Sequence, residues 1–271
     1  MTPSRLLQFF SSRKSLAFLR FCTCFTALCL LAPPTTAQAE FPVDVELILA
    51  VDISQSMDPD EQRIQREGYV AALTSDAFID TIEFGPSGRI AAMYYEWGGE
   101  NEQFIVADWQ IISDRASAIE FANRIAESPL RKVQRTSLSA SIDFARAQFQ
   151  SNSYKGLRQV LDVSGDGPNN QGRKVVDARD EAVSAGVIIN GLPLMLKDQN
   201  LAWQSILKLD DYYNDCVIGG AGSFAIPVRD KNSFKDAIQI KLIMEVAGIK
   251  KQLNNLHTAK QRKPVNCAIF N

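Results

Sequence analysis

One short apolar segment, which ends abruptly in oxygen-bearing side chains, restricts the folds that this chain can adopt. Residues 45–51, VELILAV, are apolar except for Glu46, as is typical of a strand buried on both faces of a parallel sheet. Asp52, Ser54 and Ser56 follow with D-x-S-x-S spacing. Because ligands of open α/β sheets bind outside the carboxyl ends of the strands, these oxygens predict a site for a hard divalent cation. Alternatively, the same three side chains only cap the helix that follows.

The first 39 residues have the pattern of a signal peptide. Four basic residues precede an apolar stretch at residues 21–32, two prolines end it, and Ala37-Gln38-Ala39 has the small residues of a cleavage site. Cleavage near Ala39 predicts an exported protein, periplasmic or secreted, with no membrane span in the mature chain. Retention of the segment as a membrane anchor is the alternative.

The charge of the remaining chain limits the partners that it can bind, and its cysteines bear on the compartment in which it works. The whole chain has 29 basic and 31 acidic residues, and four of the basic ones lie in the predicted signal peptide. The acidic balance of the mature chain makes nucleic acid an unexpected partner. Cys216 and Cys267 are the cysteines that remain after residue 39. An oxidising compartment allows them to form one disulfide, but two unpaired thiols fit the sequence equally well.

The order of the predicted elements indicates an α/β fold. Helices and strands alternate, which predicts a single doubly wound, mostly parallel sheet of Rossmann-like type, with one antiparallel edge strand and helices on both faces. We expect a signal peptide at 1–39, one domain at 40–249 and a basic, solvated tail at 250–271. The elements are predicted as strands at 45–51, 89–97, 103–106, 158–164, 187–192 and 225–228, and as helices beginning at Asp58, Ser113, Thr136 and Asp230, near Val175, and over 201–209.

Oxygen donors occur in three loops that are distant in sequence. Asp52, Ser54 and Ser56 follow the first strand, Thr136 stands at a helix start, and Asp166 follows the strand at 158–164. The two loops that follow parallel strands leave the same edge of the sheet, and Thr136 reaches that edge if its helix begins there.

These three motifs resemble those of von Willebrand factor type A domains. The matching residues are Asp52, Ser54, Ser56 and Met57 in VDISQSM, Thr136 in QRTSLSASIDFA, and Asp166-Gly167 in VLDVSGDG. The resemblance covers residues 45–246. The stretches WGGENEQF and YYNDCVIGGAGSF are similar to an uncharacterised group of exported bacterial members.

The resemblance implies a metal-ion-dependent adhesion site. Ser54, Ser56 and Thr136 would give hydroxyl oxygens to Mg²⁺, with Mn²⁺ or Ca²⁺ as alternatives, while Asp52 and Asp166 would hold the ion mostly through water and by charge. A carboxylate from a protein ligand with an exposed Asp or Glu would complete the coordination. The sequence departs from the pattern at Arg135, where the family usually has glycine. Arg135 either faces solvent or helps to steer an acidic ligand.

The function expected from these features is a non-catalytic binding module. The rival is an aspartate-dependent phosphoester hydrolase, but such enzymes use D-x-D with the second carboxylate as general acid, and Ser54 stands in that place. A scaffold whose metal only stiffens the loops is a third possibility. Asp162, inside a predicted buried strand, is either a hydrogen-bond acceptor for the site loops or a structural acid.

Overall fold

The computed structural model describes residues 40–196, 208–248 and 263–268. The predicted signal peptide and nearly all of the predicted helix at 201–209 lie outside the described residues. The strands are β1 (Phe41–Asp52), β2 (Ile90–Trp97), β3 (Gln103–Ile112), β4 (Tyr154–Gly165) and β5 (Val187–Pro193). The helices are α1 (Pro59–Leu73), α2 (Asp76–Glu83), α3 (Arg115–Glu127), α4 (Leu138–Ser151), α5 (Val175–Ser184), α6 (Leu209–Tyr212) and α7 (Phe234–Ala247).

The described strands form one mixed sheet in the order β3-β2-β1-β4-β5. Strand β1 pairs in parallel with β2 and β4, β4 pairs in parallel with β5, and β3 is antiparallel to β2. The prediction of a mostly parallel sheet with one antiparallel edge strand is therefore confirmed.

Strand β1 lies at the centre of the sheet, and its side chains alternate between two apolar cores. Leu47 and Leu49 pack in one core with α1, α2, α3 and α7, whereas Ile48 and Ala50 pack in the other with α4 and α5. Alternation with period two sends neighbouring side chains to opposite faces, and each face is covered by helices. Because both faces of β1 are buried, nearly all of its residues at 45–51 are apolar.

The helix that follows the D-x-S-x-S loop begins as its sequence predicts. The Asp58 side chain accepts a hydrogen bond from the Glu61 N–H at 2.7 Å, and Glu61 Oε2 accepts one from the Asp58 N–H at 2.9 Å. This capping box satisfies backbone donors at the start of α1. A second helix, α2, follows with Ser75 as its N-cap, and the sequence analysis did not predict it.

Several further element predictions need correction. The helices predicted to begin at Thr136 and Asp230 begin as α4 at Leu138 and as α7 at Phe234. The short strand predicted at 103–106 continues to Ile112, because β3 pairs with the whole of β2. The N-cap of α3 is Asp114, one residue after the predicted Ser113. The strand predicted at 225–228 makes only isolated bridges to β5 and Leu194.

Candidate functional site

The D-x-S-x-S loop and the Asp166 loop leave the same edge of the sheet. In the parallel pairing of β1 with β4, Val51 is opposite Ser164, so both strands end side by side. The segment before α4 joins them, since the Val133 N–H donates to the Ile53 carbonyl at 3.1 Å. The structure thus brings the three predicted loops together at one place.

Four of the predicted site residues are linked by short polar contacts. Ser54 Oγ lies 2.9 Å from Ser56 Oγ, and the Ser56 hydroxyl donates to Asp166 Oδ1 at 2.5 Å. The Ser54 N–H donates to Asp52 Oδ1 at 2.7 Å. Two hydroxyls and a carboxylate from loops 110 residues apart therefore converge at the edge of the sheet.

Thr136 reaches this place through backbone contacts with the turn that follows Asp166. Its N–H donates to Asn170 Oδ1 at 2.9 Å, and its carbonyl accepts from the Asn170 N–H at 2.8 Å. The Thr136 hydroxyl lies 3.8 Å from the point that a Cβ on Gly167 would occupy, so it stands beside the Asp166 loop. Asn170 was not among the predicted site residues, although the sequence has an Asn-Asn pair in a Gly-rich turn.

Arg135 keeps a backbone conformation that favours glycine. Its φ is 69°, the only positive φ at a non-glycine residue within the described part of the chain. The motif that this sequence resembles usually has glycine at this position, and this chain has an arginine there with a left-handed backbone. The Arg135 side chain is exposed, and no described hydrogen bond or ion pair holds it.

Asp52 combines full burial with a nearby negative charge. Burial first, and then the Asp166 carboxylate, raise the pKa of Asp52 to about 7, while hydrogen bonds from Ser54 oppose the rise. Asp52 Oδ2 is buried and has no hydrogen-bond partner in the described structure. Such an orphaned buried oxygen fits a site that awaits a cation or a further donor.

The donor chemistry of the five residues suits a hard cation. Asp52 and Asp166 offer carboxylates, Ser54, Ser56 and Thr136 offer hydroxyls, and Mg²⁺ prefers such oxygen ligands. Among the described residues there is no group of three or more His, Cys, Asp or Glu side chains able to hold a metal. The assignment of these five residues as ligands stays a prediction.

Asp162 belongs to a buried ion cluster and not to the site loops. Its Oδ1 lies 2.5 Å from Lys241 Nζ, and its Oδ2 accepts from the Tyr69 hydroxyl at 3.2 Å. Lys241 also contacts Glu245 at 2.5 Å, and all three charged side chains are buried. Of the two roles weighed for Asp162, its direct contacts support the structural one.

Tyr213 is a buried residue behind the site that the sequence analysis did not select. Its hydroxyl lies 2.9 Å from the point that a Cβ on Gly165 would occupy, and Asp52 Oδ2 lies 2.8 Å from the same point. Burial first, and then the charges of Asp52 and Asp166, raise the pKa of Tyr213 well above its usual value, so the phenol keeps its proton. The YYNDC stretch was visible in the sequence, but nothing local indicated where it would pack.

Solved structures define the class of fold. Proximal thread matrix protein 1 from the mussel byssus matches with a TM-score of 0.57 and 10% identity, over 77% of this chain and 49% of that chain. The pilus adhesin SpaC of Lactobacillus rhamnosus GG matches with a TM-score of 0.57 and 11% identity, over 77% and 31%. A von Willebrand factor type A protein from Catenulispora acidiphila matches with a TM-score of 0.51 and 13% identity, over 76% and 43%. The chain thus has a von Willebrand factor type A fold and spans half or less of the length of these proteins.

The sequence also matches a family model. Residues 42–250 match the family described as "Protein of unknown function (DUF1194)", and the chain belongs to that family. No curated protein matches the sequence. A further structure of the mussel thread protein, with a TM-score of 0.53 and 12% identity over 77% of this chain and 49% of that one, is described as having a zinc-occupied MIDAS motif, the metal-ion-dependent adhesion site. Within the described residues, no helix is long and apolar enough to cross a membrane.

Proposed function

We propose that this protein is an exported, non-catalytic binding module that recognises a protein ligand through a divalent cation. Asp52, Ser54, Ser56, Thr136 and Asp166 hold the cation, which is Mg²⁺ in the first place, with Mn²⁺ or Ca²⁺ as alternatives. When bound, the cation supplies a positive centre with exchangeable positions for a carboxylate of the partner.

The observation that carries the proposal is the contact between the Ser56 hydroxyl and Asp166 Oδ1, 2.5 Å apart, with Ser54 Oγ a further 2.9 Å from Ser56 Oγ. Helix capping does not require this convergence, because α1 is already capped by Asp58. The alternative that Asp52, Ser54 and Ser56 only cap the next helix therefore has less support.

The ligand set favours a site that attracts an external acid. Among the described residues, two carboxylates stand near the proposed ion. Their charge does not exceed that of a divalent cation bound through the three hydroxyls, so the cation can still attract an acid. The exposed Lys132 and Arg135 lie on the neighbouring loop and favour an acidic partner over a basic one.

Burial of Asp52 counts against the hydrolase alternative. Its side chain has 0% exposure, whereas a nucleophilic aspartate must reach the phosphorus of its substrate. Turnover of a generic phosphoester by the wild type, lost in Asp52→Ala, would support the hydrolase and overturn the binding module.

Export of the protein is supported by its disulfide. The structure pairs Cys216 with Cys267, which the sequence had left open. Structural disulfides persist in oxidising compartments such as the periplasm and the exterior. Together with the predicted signal peptide at 1–39, this pairing supports a periplasmic or secreted location.

The metal site is tested by calorimetric titration of the purified protein with Mg²⁺ and Mn²⁺. We expect one cation per chain, with binding lost in Asp52→Ala and weakened at least tenfold in Ser56→Ala. Ser151→Ala is the matched control, since Ser151 lies at the distant C-terminal end of α4. No binding at millimolar ion would refute the metal site.

The partner is tested by cross-linking pull-downs from the exporting compartment. We expect a protein recovered with Mg²⁺, lost with EDTA and lost with the Asp52→Ala variant. Cation binding without any partner that depends on it would refute the recognition role and leave the metal-stiffened scaffold in its place.

A further inference from the structure

Tyr213 opens a π-helical turn, Tyr213–Val217, that directly follows α6. Its side chain is fully buried, and its hydroxyl has no hydrogen-bond partner in the described structure. A buried phenol without a partner is uncommon, because such groups usually find an acceptor. This residue belongs to the YYNDC stretch, to which the proposed function assigns no role.

Two glycines on neighbouring strands make room for the Tyr213 side chain. A Cβ on Gly191 of β5 would lie 2.6 Å from Tyr213 Cδ1, and a Cβ on Gly165 of β4 would lie 2.9 Å from the Tyr213 hydroxyl. Any larger residue at either position would collide with the tyrosine. The ends of β4 and β5 thus form a slot that the tyrosine fills.

At its Gly165 end, the slot lies beside Oδ2 of Asp52. The point that a Cβ on Gly165 would occupy is 2.8 Å from Asp52 Oδ2 and 2.9 Å from the Tyr213 hydroxyl. Both oxygens are buried, and neither has a hydrogen-bond partner among the described residues. The phenol is a donor and the carboxylate oxygen is an acceptor, so their needs are complementary.

We propose that Tyr213 is a positioning residue of the cation site, whose hydroxyl donates a hydrogen bond to Asp52 Oδ2 when the site is loaded. The bond fixes the carboxylate from behind, while the Ser54 N–H fixes Oδ1 from the loop side. Partners of this kind orient the groups that hold a metal, and their removal typically costs 10–100-fold in metal affinity. This inference rests on the proposed function.

The disulfide anchors the turn that carries Tyr213. Cys216 lies within the turn and is bonded to Cys267, and the Val265 N–H donates to Asp215 Oδ2 at 2.9 Å. The preceding residue, Tyr212, accepts a hydrogen bond from the Asn169 N–H at 3.1 Å, in the turn that follows Asp166. The described part of the C-terminal tail is therefore attached to the π-helical turn that packs behind the site.

The test compares Tyr213→Phe with Tyr94→Phe in Mn²⁺ titrations of the purified protein. Tyr94 is the matched control, since it is also fully buried, its hydroxyl also lacks a hydrogen-bond partner in the described structure, and it packs in the core on the opposite face. We expect affinity about tenfold weaker in Tyr213→Phe and unchanged in Tyr94→Phe. Unchanged affinity in Tyr213→Phe, with the wild type binding, would overturn this inference and leave the proposed function standing. No binding by the wild type would overturn both.

A second measurement does not depend on the folding of a variant. Infrared difference spectra of the wild type with and without Mg²⁺, using ring-labelled tyrosine, are expected to show a shifted phenol band. A pure packing role would not move this band. Spectra without any tyrosine contribution would overturn the inference even if Tyr213→Phe failed to fold.

Discussion

At Asp52, burial and a neighbouring negative charge both act against ionisation of the carboxyl group. Its carboxylate is fully buried at the end of a central strand, within the influence of the Asp166 charge. Desolvation and like charge both disfavour the ionised form, and the protein keeps this unfavourable arrangement beside two hydroxyls. A buried acid whose ionised form is disfavoured, placed beside a cluster of oxygens, is typical of a functional site.

Arg135 offers a test of local strain beside the site. A non-glycine residue in the left-handed region costs roughly 1–2 kcal/mol, partly offset by the greater chain entropy that glycine loses on folding. We therefore expect Arg135→Gly to raise the free energy of unfolding, by up to about 1 kcal/mol, in chemical denaturation. Gln134→Gly, at a neighbouring position without a positive φ, serves as the control and should give no gain. A loss of stability in Arg135→Gly would show that the arginine side chain matters more than its backbone conformation.

At the scale of elements, buried ions attach α7 to the sheet and to α1. Lys241 of α7 contacts Asp162 of β4, and Tyr69 of α1 donates to the same carboxylate. Glu245, one turn after Lys241, accepts from the Asn190 side chain of β5 at 3.0 Å. One lysine balances only one of the two carboxylates, so burial first, and then the Asp162 charge, raise the pKa of Glu245 to about 7.

This shift makes the stability depend on pH in a defined direction. The folded state holds a proton on Glu245 up to about pH 7, whereas the ordinary value is 4.5. Its contribution to stability is therefore complete below about pH 4.5 and is lost as the pH rises to about 7. We expect the wild type to lose roughly 1–3 kcal/mol more than Glu245→Gln between pH 5 and pH 8, measured by chemical denaturation.

The control for Glu245 is an exposed glutamate of another helix. Glu120→Gln on α3 should keep the pH dependence of the wild type, because the Glu120 side chain is exposed and pairs with the exposed Arg124 on the same helix. Parallel pH profiles of Glu245→Gln and the wild type would contradict the role of the buried cluster.

The disulfide joins the π-helical turn to the C-terminal segment 263–268. It closes a loop with a sequence separation of 51 residues. Loss of the cross-link increases the freedom of the unfolded chain, so we expect the double variant Cys216→Ser/Cys267→Ser to be less stable by roughly 2–5 kcal/mol. Chemical denaturation of the oxidised wild type, the reduced wild type and the double variant checks this. Equal stability of all three would contradict it.

At the scale of the whole molecule, a cation that binds only the folded chain should stabilise it. At a free ion concentration of 100 times the dissociation constant, the gain is about 2.7 kcal/mol. We therefore expect Mg²⁺ to raise the melting temperature of the wild type and to leave that of Asp52→Asn unchanged. Asp180→Asn, at an exposed position of α5, should respond like the wild type. An equal rise in Asp52→Asn would assign the effect to another place on the surface.

The fold could be predicted from the sequence because the patterns that specify its elements lie within short segments of the chain. The apolar run of β1, the capping box at Asp58 and the alternation of elements are patterns that short segments carry by themselves. The three site loops were also found, since the carboxyl ends of parallel strands share an edge. Helix α2 was missed because its amphipathic pattern is brief, and β3 is longer than predicted because pairing with β2 extends it.

The sequence by itself determined the class of fold and the five oxygen-bearing residues predicted to hold a cation. Only the tertiary structure decided the pairing of Cys216 with Cys267, the burial of Lys241 and the approach of Tyr213 to Asp52. The physical reason is the separation along the sequence between the residues that interact. Periodicity and capping act between residues a few positions apart. The Tyr213 side chain, in contrast, has room at the ends of β4 and β5 only because Gly165 and Gly191, earlier in the chain, lack side chains.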